Sequence, residues 1–554
     1  MTIRGLLEKN GGIYGERKAF TWCQDKVWQT RTWSEVHARV RDYAEGYGTR
    51  FGLVPRKDNT AIILSNCPEW IESYLAQAGA GVAVVPLDPK LHESEVEYIL
   101  KDAEVTVVTT DKAHLRMMIN LVPKLPKLRG IVITDGVIFE GQKLGDGVQV
   151  VGFDKLRISG GGAWFDANKP EAQDVASIIY TSGTTGKPKG AMLTHDNFIS
   201  DIDGAIDTFN VSITIDDSLL VVLPLFHAFS FTANFMVAMY VGCELKFVES
   251  LRTVGRDINI LRPTAIMAVP LLAEKLYDKL AEGLEKSAAA KALLRLGLRG
   301  VVWHMVLKKL GGRLRFIITG GAPCPKHVLE GFRKIHVKFI EGYGLTECAP
   351  VVSVTDYRSN RIGTIGRPCH GVEVRLADKN DAGVGELQVK GPIVMKGYFH
   401  NEKATKEAFD GEWFATGDLA SMDEEGYITI RGRKKALIVN REGKNIYPEE
   451  VENAISKDPS VQDIIVIGYT QGGIPGERVG AIVYPNEEWF AQENGGKKPD
   501  WDEMEKVVSK RVQERSAELA DYKRVRKVVV YREPLERTSV GKVRRVTYKG
   551  KLDE

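Results

Sequence analysis

Cysteine pairs are missing: the six cysteines, Cys23, Cys67, Cys243, Cys324, Cys348 and Cys369, include no CxxC spacing. That argues against a zinc cage and a disulfide framework and fits a reducing cytoplasm. Net charge is nearly absent too, with 76 Lys and Arg against 73 Asp and Glu. The balance gives the whole molecule no strong pull toward nucleic acid or anionic membrane, so any anion binding must be local. No apolar run has the length of a membrane span, and the least polar stretch, 229–243, carries Ser, Thr and Asn. The opening MTIRGLLEKNGG lacks the sustained apolar segment of a signal peptide. Internal repeats and low-complexity tracts are also lacking. What is present is an ordinary globular composition, 43% hydrophobic and 27% charged, over 554 residues. One core rarely organises so long a chain, so at least two domains are expected.

Short β-branched runs bounded by turn residues recur at 60–64, 81–87, 105–110, 130–134, 177–180, 219–223, 265–269 and 314–319. Helical patterns alternate with them, the first over 68–80, which predicts an α/β chain with mainly parallel sheets. After about residue 372 the texture becomes VEVRLAD, GELQVKG, GEWFATGDLA and GYITIRGR, closely spaced strands that predict a small barrel-like subdomain to 432. RGRKK at 431–435 marks the main boundary, giving an N-terminal domain 1–432 and a small α/β domain 433–554. The latter begins with a helix near Pro448 and continues through the strand IIVIGY and a long polar helix over 502–519. An Ala/Leu/Lys-rich helical stretch, 281–308, is longer than a connection requires.

The segment YTSGTTGKPKGAMLTH, 180–195, packs five Ser or Thr, three Gly and two Lys between an apolar strand and a following helical segment. Glycine lets backbone N–H groups wrap an oxyanion, while hydroxyls and Lys187 or Lys189 donate to phosphate oxygens. By itself the composition also suits a polar surface loop. The spacing from Gly183 to Gly186 and Lys187, followed by Pro188, does not match a Walker A loop.

TSGTTGKPKG resembles the signature loop of the adenylate-forming superfamily, which includes acyl-CoA synthetases, peptide-synthetase adenylation domains and beetle luciferases. VPLDPKL (85–91), PLFHAFS (224–230), TGGAPC (319–324), EGYGLTE (341–347), TGDL (416–419), RGRKK and GKVRR (541–545) each look like a family motif, in the family's order. The resemblance implies a large N-terminal region of two sheets plus a small barrel, hinged to a mobile C-terminal domain. The implied reaction is ATP-dependent activation of a carboxylic acid as acyl-AMP, then transfer to a thiol such as that of coenzyme A. ATP, Mg²⁺ and CoA are the implied cofactors and co-substrates, and small molecules rather than nucleic acid the partners.

Residue by residue, the resemblance assigns ATP contacts to Thr181, Ser182, Gly183, Thr184, Thr185, Gly186 and Lys187. It adds Gly321, Ala322 and Pro323, then Glu341, Gly342, Tyr343, Gly344 and Thr346, with Tyr343 at the adenine. Glu347 and Thr184 are the implied Mg²⁺ ligands, since Mg²⁺ prefers oxygen ligands shared with phosphate. Asp418, read bare, suits a turn or cap; the resemblance places it on the ribose hydroxyls with Arg433. His227, otherwise a plausible core histidine, is implied beside the acid's carboxylate. Lys542 lies in a basic stretch, 521–554, of eleven Lys or Arg against five Asp or Glu, without the aromatic interleaving of a nucleic-acid surface. The resemblance makes it catalytic, with His227 and Thr184: a lysine between carboxylate and α-phosphate offsets two approaching negative charges. Lys435 is the implied hinge.

The long segment 270–312, with EGYGLTE, GGAPC and GKNIYPEEVE, is similar to the long-chain fatty acyl-CoA synthetase branch, which implies a medium- or long-chain fatty acid and a cytoplasmic enzyme with room for peripheral membrane contact. A carrier-loading acyl-AMP ligase, a ligase for aryl or other acids, a luciferase-like oxygenase and a silent nucleotide sensor share the ATP motifs. Joint retention of Thr184, Glu347, Asp418, Arg433 and Lys542 argues against the sensor. Oligomeric state has no signature here.

Overall fold

A computed structural model describes residues 1–135, 143–144, 147–181, 187–209, 212–358, 361–472, 474–497, 500–537 and 543–553. Two nine-stranded sheets dominate it. In the first, Lys18–Gln24, Glu244–Phe247, Ser218–Val221, Ala265–Ala268, Phe316–Gly320 and Lys338–Gly344 run parallel as neighbours. Antiparallel strands close its two edges, Val27–Thr32 at one and Val351–Val354 with Arg367–Pro368 at the other. The second sheet aligns Val175–Thr181, Ala83–Leu87, Asn59–Ile63, Val105–Thr110, Gly130–Ile133 and Val148–Gly152 in parallel. The eight expected strands are all present in these parallel blocks. They form for a local reason: residues such as Ile62, Val84, Val107 and Val132 are buried, as strands covered on both faces require.

Helices fill the faces. Pro68–Ala78 starts with its proline in the first turn, where the missing N–H costs nothing, and Trp33–Phe51 opens with a Thr32–Glu35 capping box. A third sheet orders Glu373–Ala377, Gly385–Lys390, Trp413–Met422 and Phe409–Asp410, with Ile428–Arg433 on Trp413–Met422. The C-terminal residues build a three-stranded sheet, Val461–Gln471, Ile474–Pro485 and Lys527–Val530, and the helices Pro448–Ile455 and Trp501–Ala517. By internal contacts the chain divides into two compact units. The first takes the chain up to Thr181, Lys187–Val374 and Val389–Phe414; the second takes Arg375–Gln388 and Ala415–Glu554. Among the described residues no helix is long and apolar enough to cross a membrane.

One core residue carries a testable titration. Asp201, on the helix His195–Phe209, is buried; Oδ1 accepts the Val351 N–H at 3.0 Å, and Oδ2 has no partner among the described residues. Burial pushes its carboxyl well above the usual range, with the Val351 N–H pulling the other way. The folded state therefore holds this proton to higher pH than the unfolded chain, whose Asp titrates near ~3.9. Stability from this group is fullest below that value and declines as pH rises toward the folded pKa. Asp201→Asn removes the ionisation, so its stability relative to wild type should improve between pH 5 and pH 8. Urea unfolding midpoints at the two pH values check this.

Candidate active site

In open α/β sheets the loops at the carboxyl ends of parallel strands hold ligands. Here three such loops leave strands of the first sheet: 222–230 after Ser218–Val221, 321–325 after Phe316–Gly320, and the turn at Glu347 after Lys338–Gly344. His227 caps the short helix Ala228–Ser230, and its Nδ1 accepts the Phe229 N–H at 3.3 Å. A π-helical turn, Phe231–Met236, follows, a distortion common at functional sites. A Cβ at Gly320 would stand 3.3 Å from the Phe229 ring and 3.2 Å from the Gly342 carbonyl, so the loop 222–230 packs tightly on this strand end. Gly321 is left-handed at φ +85, and Ala322 and Pro323 are exposed beside it.

Glu341, expected among the nucleotide contacts, braces the neighbouring loop. Its Oε1 accepts the Cys324 N–H at 3.0 Å, and burial raises its carboxyl despite that bond. At Gly344 a Cβ would sit 1.7 Å from the Pro350 carbonyl oxygen, which excludes any side chain and fixes the approach to Thr346 and Glu347. Tyr343 is half-buried against the main core.

The phosphate-type segment 180–195 runs from a strand to a helix as expected, and holds in addition a second strand that the sequence did not show. Lys189–Thr194 pairs antiparallel with Val175–Thr181, matching Thr181 to Lys189 and Tyr180 to Gly190, and the helix begins only at His195. Ser182, Gly183, Thr184, Thr185 and Gly186 lie outside the described residues. The flanks are held firmly: Tyr98 Oη donates to the Pro188 carbonyl at 3.2 Å, and Tyr180 Oη donates to Asp102 at 2.5 Å. Lys187 Nζ stands 5.1 Å from the Tyr98 ring centroid. His195 is buried in the core: burial lowers it to about 4, and its Nδ1 accepts the Ile3 N–H at 3.4 Å.

Tyr398 joins this loop to the Glu347 turn and was invisible in the sequence. Its hydroxyl donates to Glu347 Oε1 at 2.9 Å, while Lys189 Nζ lies 5.1 Å from its ring centroid. Burial, reinforced by Glu347, raises the phenol, so it acts as a donor. The Met395 N–H donates to the Glu347 carbonyl at 2.8 Å and holds the turn from the same edge strand region.

Among the described residues no group of three His, Cys, Asp or Glu gathers. A lone carboxylate whose second oxygen is not taken by Tyr398 suits Mg²⁺ shared with phosphate oxygens and water, not an all-protein cage.

Asp418 and Arg433 belong to the second unit and oppose one another in register on neighbouring strands. Arg433 Nε meets Asp418 Oδ1 at 2.8 Å, and Arg433 Nη1 donates to the Thr416 carbonyl at 3.2 Å. Asp418 is therefore a strand residue, not the turn or cap its bare sequence suits. Its backbone N–H donates to Thr416 Oγ1 at 3.0 Å, and that hydroxyl donates to the Leu387 carbonyl at 2.7 Å. A buried carboxylate beside a half-exposed guanidinium can accept from one diol while its partner donates. Lys435 is exposed in the short turn Lys434–Ala436, beside the Lys434–Glu386 ion pair of 2.6 Å. Lys542 lies outside the described residues.

Residues 7–399 match AMP-binding enzymes, and 450–542 match the AMP-binding enzyme C-terminal domain. The long-chain-fatty-acid–CoA ligase FadD15 of Mycobacterium tuberculosis is 30% identical over 480 residues, covering 80% of this chain and 76% of that protein. Mouse long-chain-fatty-acid–CoA ligase 6 is 31% identical over 500 residues, covering 84% and 71%. Among solved structures, ATP-bound MatB from Rhodopseudomonas palustris superposes with a TM-score of 0.74 at 26% identity, over 99% of each chain. The anthranilate CoA ligase AuaEII with anthranoyl-AMP, at 20% identity, shares the fold with a TM-score of 0.76 over 99% and 96%.

Proposed function

We infer function from the premise that this chain belongs to the AMP-binding enzyme family: it is an ATP-dependent ligase that activates a carboxylic acid as acyl-AMP and transfers the acyl group to coenzyme A. The observation that carries the reading is the Lys189–Tyr398–Glu347 chain, which links a carboxylate to the strand that follows the phosphate-type motif. In the first half-reaction a carboxylate oxygen attacks the α-phosphorus and pyrophosphate leaves. In the second, the thiol sulfur attacks the acyl carbon and AMP leaves.

The loop hydroxyls and Lys187 take the phosphates, Glu347 with Thr184 holds Mg²⁺, and Tyr343 with 321–323 forms the adenine wall. Bound Mg²⁺ supplies charge neutralisation to the polyphosphate. Asp418 takes the ribose hydroxyls, with Arg433 holding its carboxylate in place. His227 lies beside the acid's carboxylate, and Lys542 bridges it to the α-phosphate. Lys435 serves as the hinge between half-reactions; its replacement should unbalance them, changing thioester formation and pyrophosphate release by different factors in single-turnover assays.

Tyr398→Phe keeps the ring over Lys189 and removes the donor to Glu347. The expected result is a rise of about threefold to tenfold in the half-saturating Mg²⁺ concentration, ~0.7–1.4 kcal/mol or the net worth of one typical hydrogen bond, with kcat at saturating Mg²⁺ little changed. A Mg²⁺ titration of pyrophosphate release checks it.

The acid is a medium- or long-chain fatty acid, a reading supported by the family relatives named for that chemistry. A panel from acetate to palmitate, with benzoate, read by mass detection of the thioester, tests it. An optimum among alkyl acids supports the reading, a preference for benzoate replaces it with an aryl acid, and pyrophosphate without thioester points to a carrier protein as acceptor.

A further inference from the structure

Five large apolar side chains left exposed, Leu294, Leu296, Leu298, Val301 and Met305, crowd onto one helical hairpin, Ala288–Arg295 and Arg299–Lys309. Leu296 and Leu298 are 72% and 46% exposed at its tip, where Gly297 turns the chain at φ +73. The inner face of the second helix, Val302, Val306 and Leu310, is buried in the first unit. Leu298, Val301 and Met305, spaced i, i+3 and i+7, form a second apolar face directed away from that core. A helix that is apolar on both faces buries both. Among the described residues only one is covered.

Charge indicates what covers the other. From Lys286 to Leu329 there is no Asp or Glu and there are nine Lys or Arg, in a chain whose net charge is only +3. Lys286, Arg315 and Lys326 are ion-paired, whereas Lys291, Arg295, Arg299 and Lys308 are exposed without an ion pair among the described residues. A second copy packed here by twofold symmetry would set these cations against their equivalents. A nucleic acid would match the charge and leave the leucines in water. An anionic bilayer matches both, burying the apolar tip at the headgroup–acyl boundary while Lys and Arg meet lipid phosphates.

We propose that this hairpin docks the enzyme peripherally on an anionic lipid bilayer through the Leu294–Met305 face and its flanking Lys and Arg. The inference stands on the hairpin alone, whichever acid is activated. It is tested by co-sedimentation of the full chain with phosphatidylglycerol-rich and pure phosphatidylcholine vesicles at low and high salt. Wild type is expected to bind the anionic vesicles and to lose about tenfold in affinity on phosphatidylcholine or in high salt. Leu296→Asp with Leu298→Asp should weaken binding by a similar factor, while pyrophosphate release without vesicles is unchanged and reports an intact fold. Arg295→Ala with Arg299→Ala, a milder surface change, should weaken binding and flatten its salt dependence. Absence of vesicle binding by wild type, or binding that neither pair alters, overturns the proposal. So does a wild-type dimer in sedimentation velocity that the Leu pair dissociates, which would assign the face to a second copy.

Discussion

Lys542→Ala is expected to slow acyl-adenylate formation about 10²–10³-fold, the cost of removing one preorganised donor from developing charge, while ATP binding changes little. Carboxylate and α-phosphate are both anionic, and a cation between them acts most strongly as the bond forms, so its loss falls on the rate. The chain on either side of this lysine is pinned. Arg537 and Val543 form a β-bridge, the Arg544 N–H donates to the Glu536 carbonyl at 2.8 Å, and Arg545 clamps Glu452 at 2.8 and 3.0 Å. Glu452 also accepts the Val466 N–H at 2.7 Å, tying the segment to the three-stranded sheet. Single-turnover pyrophosphate release with separate measurement of nucleotide affinity reads the split. Normal release by the variant would remove Lys542 from the chemistry.

Asp418→Ala is expected to raise the KM for ATP by about 10- to 100-fold, from loss of charge-assisted hydrogen bonds worth ~1.5–3 kcal/mol. It also leaves Arg433 without its in-register partner, so its fork can turn away from the nucleotide. A change confined to ribose recognition is diagnosed with 2′-deoxy-ATP: wild type should discriminate against it, and Asp418→Ala should discriminate far less. Equal discrimination by the two proteins would show that Asp418 serves only the local fold.

The parallel strands were legible because β-branched runs buried on both faces declare themselves without help from distant residues. The hairpin Lys18–Gln24 and Val27–Thr32 was not, since its place is set by parallel pairing of Phe20 with Leu245 across the chain. Lys189–Thr194 has no strand signature of its own, since Gly190 and Ala191 carry little strand preference; the antiparallel register with Val175–Thr181 makes it a strand. Tyr398 sits in KGYFH, which has no chemical signature, and becomes part of the site only through the pairing of Gly397 and Tyr398 with Met192 and Ala191. Glu341 shows the reverse: a carboxylate inside a recognised motif whose side chain the fold assigns to the neighbouring loop. Asp418 and Arg433, fifteen positions apart, are paired in the sequence only through the family resemblance; their meeting depends on a strand register that no local pattern contains.

The most direct test of the central claim is exchange of labelled pyrophosphate into ATP, with MgATP and a fatty acid and without coenzyme A. The account predicts exchange that requires both the acid and Mg²⁺ and that Lys542→Ala slows about 10²–10³-fold. Release of inorganic phosphate and ADP, or turnover of ATP without acid-dependent exchange, would contradict it.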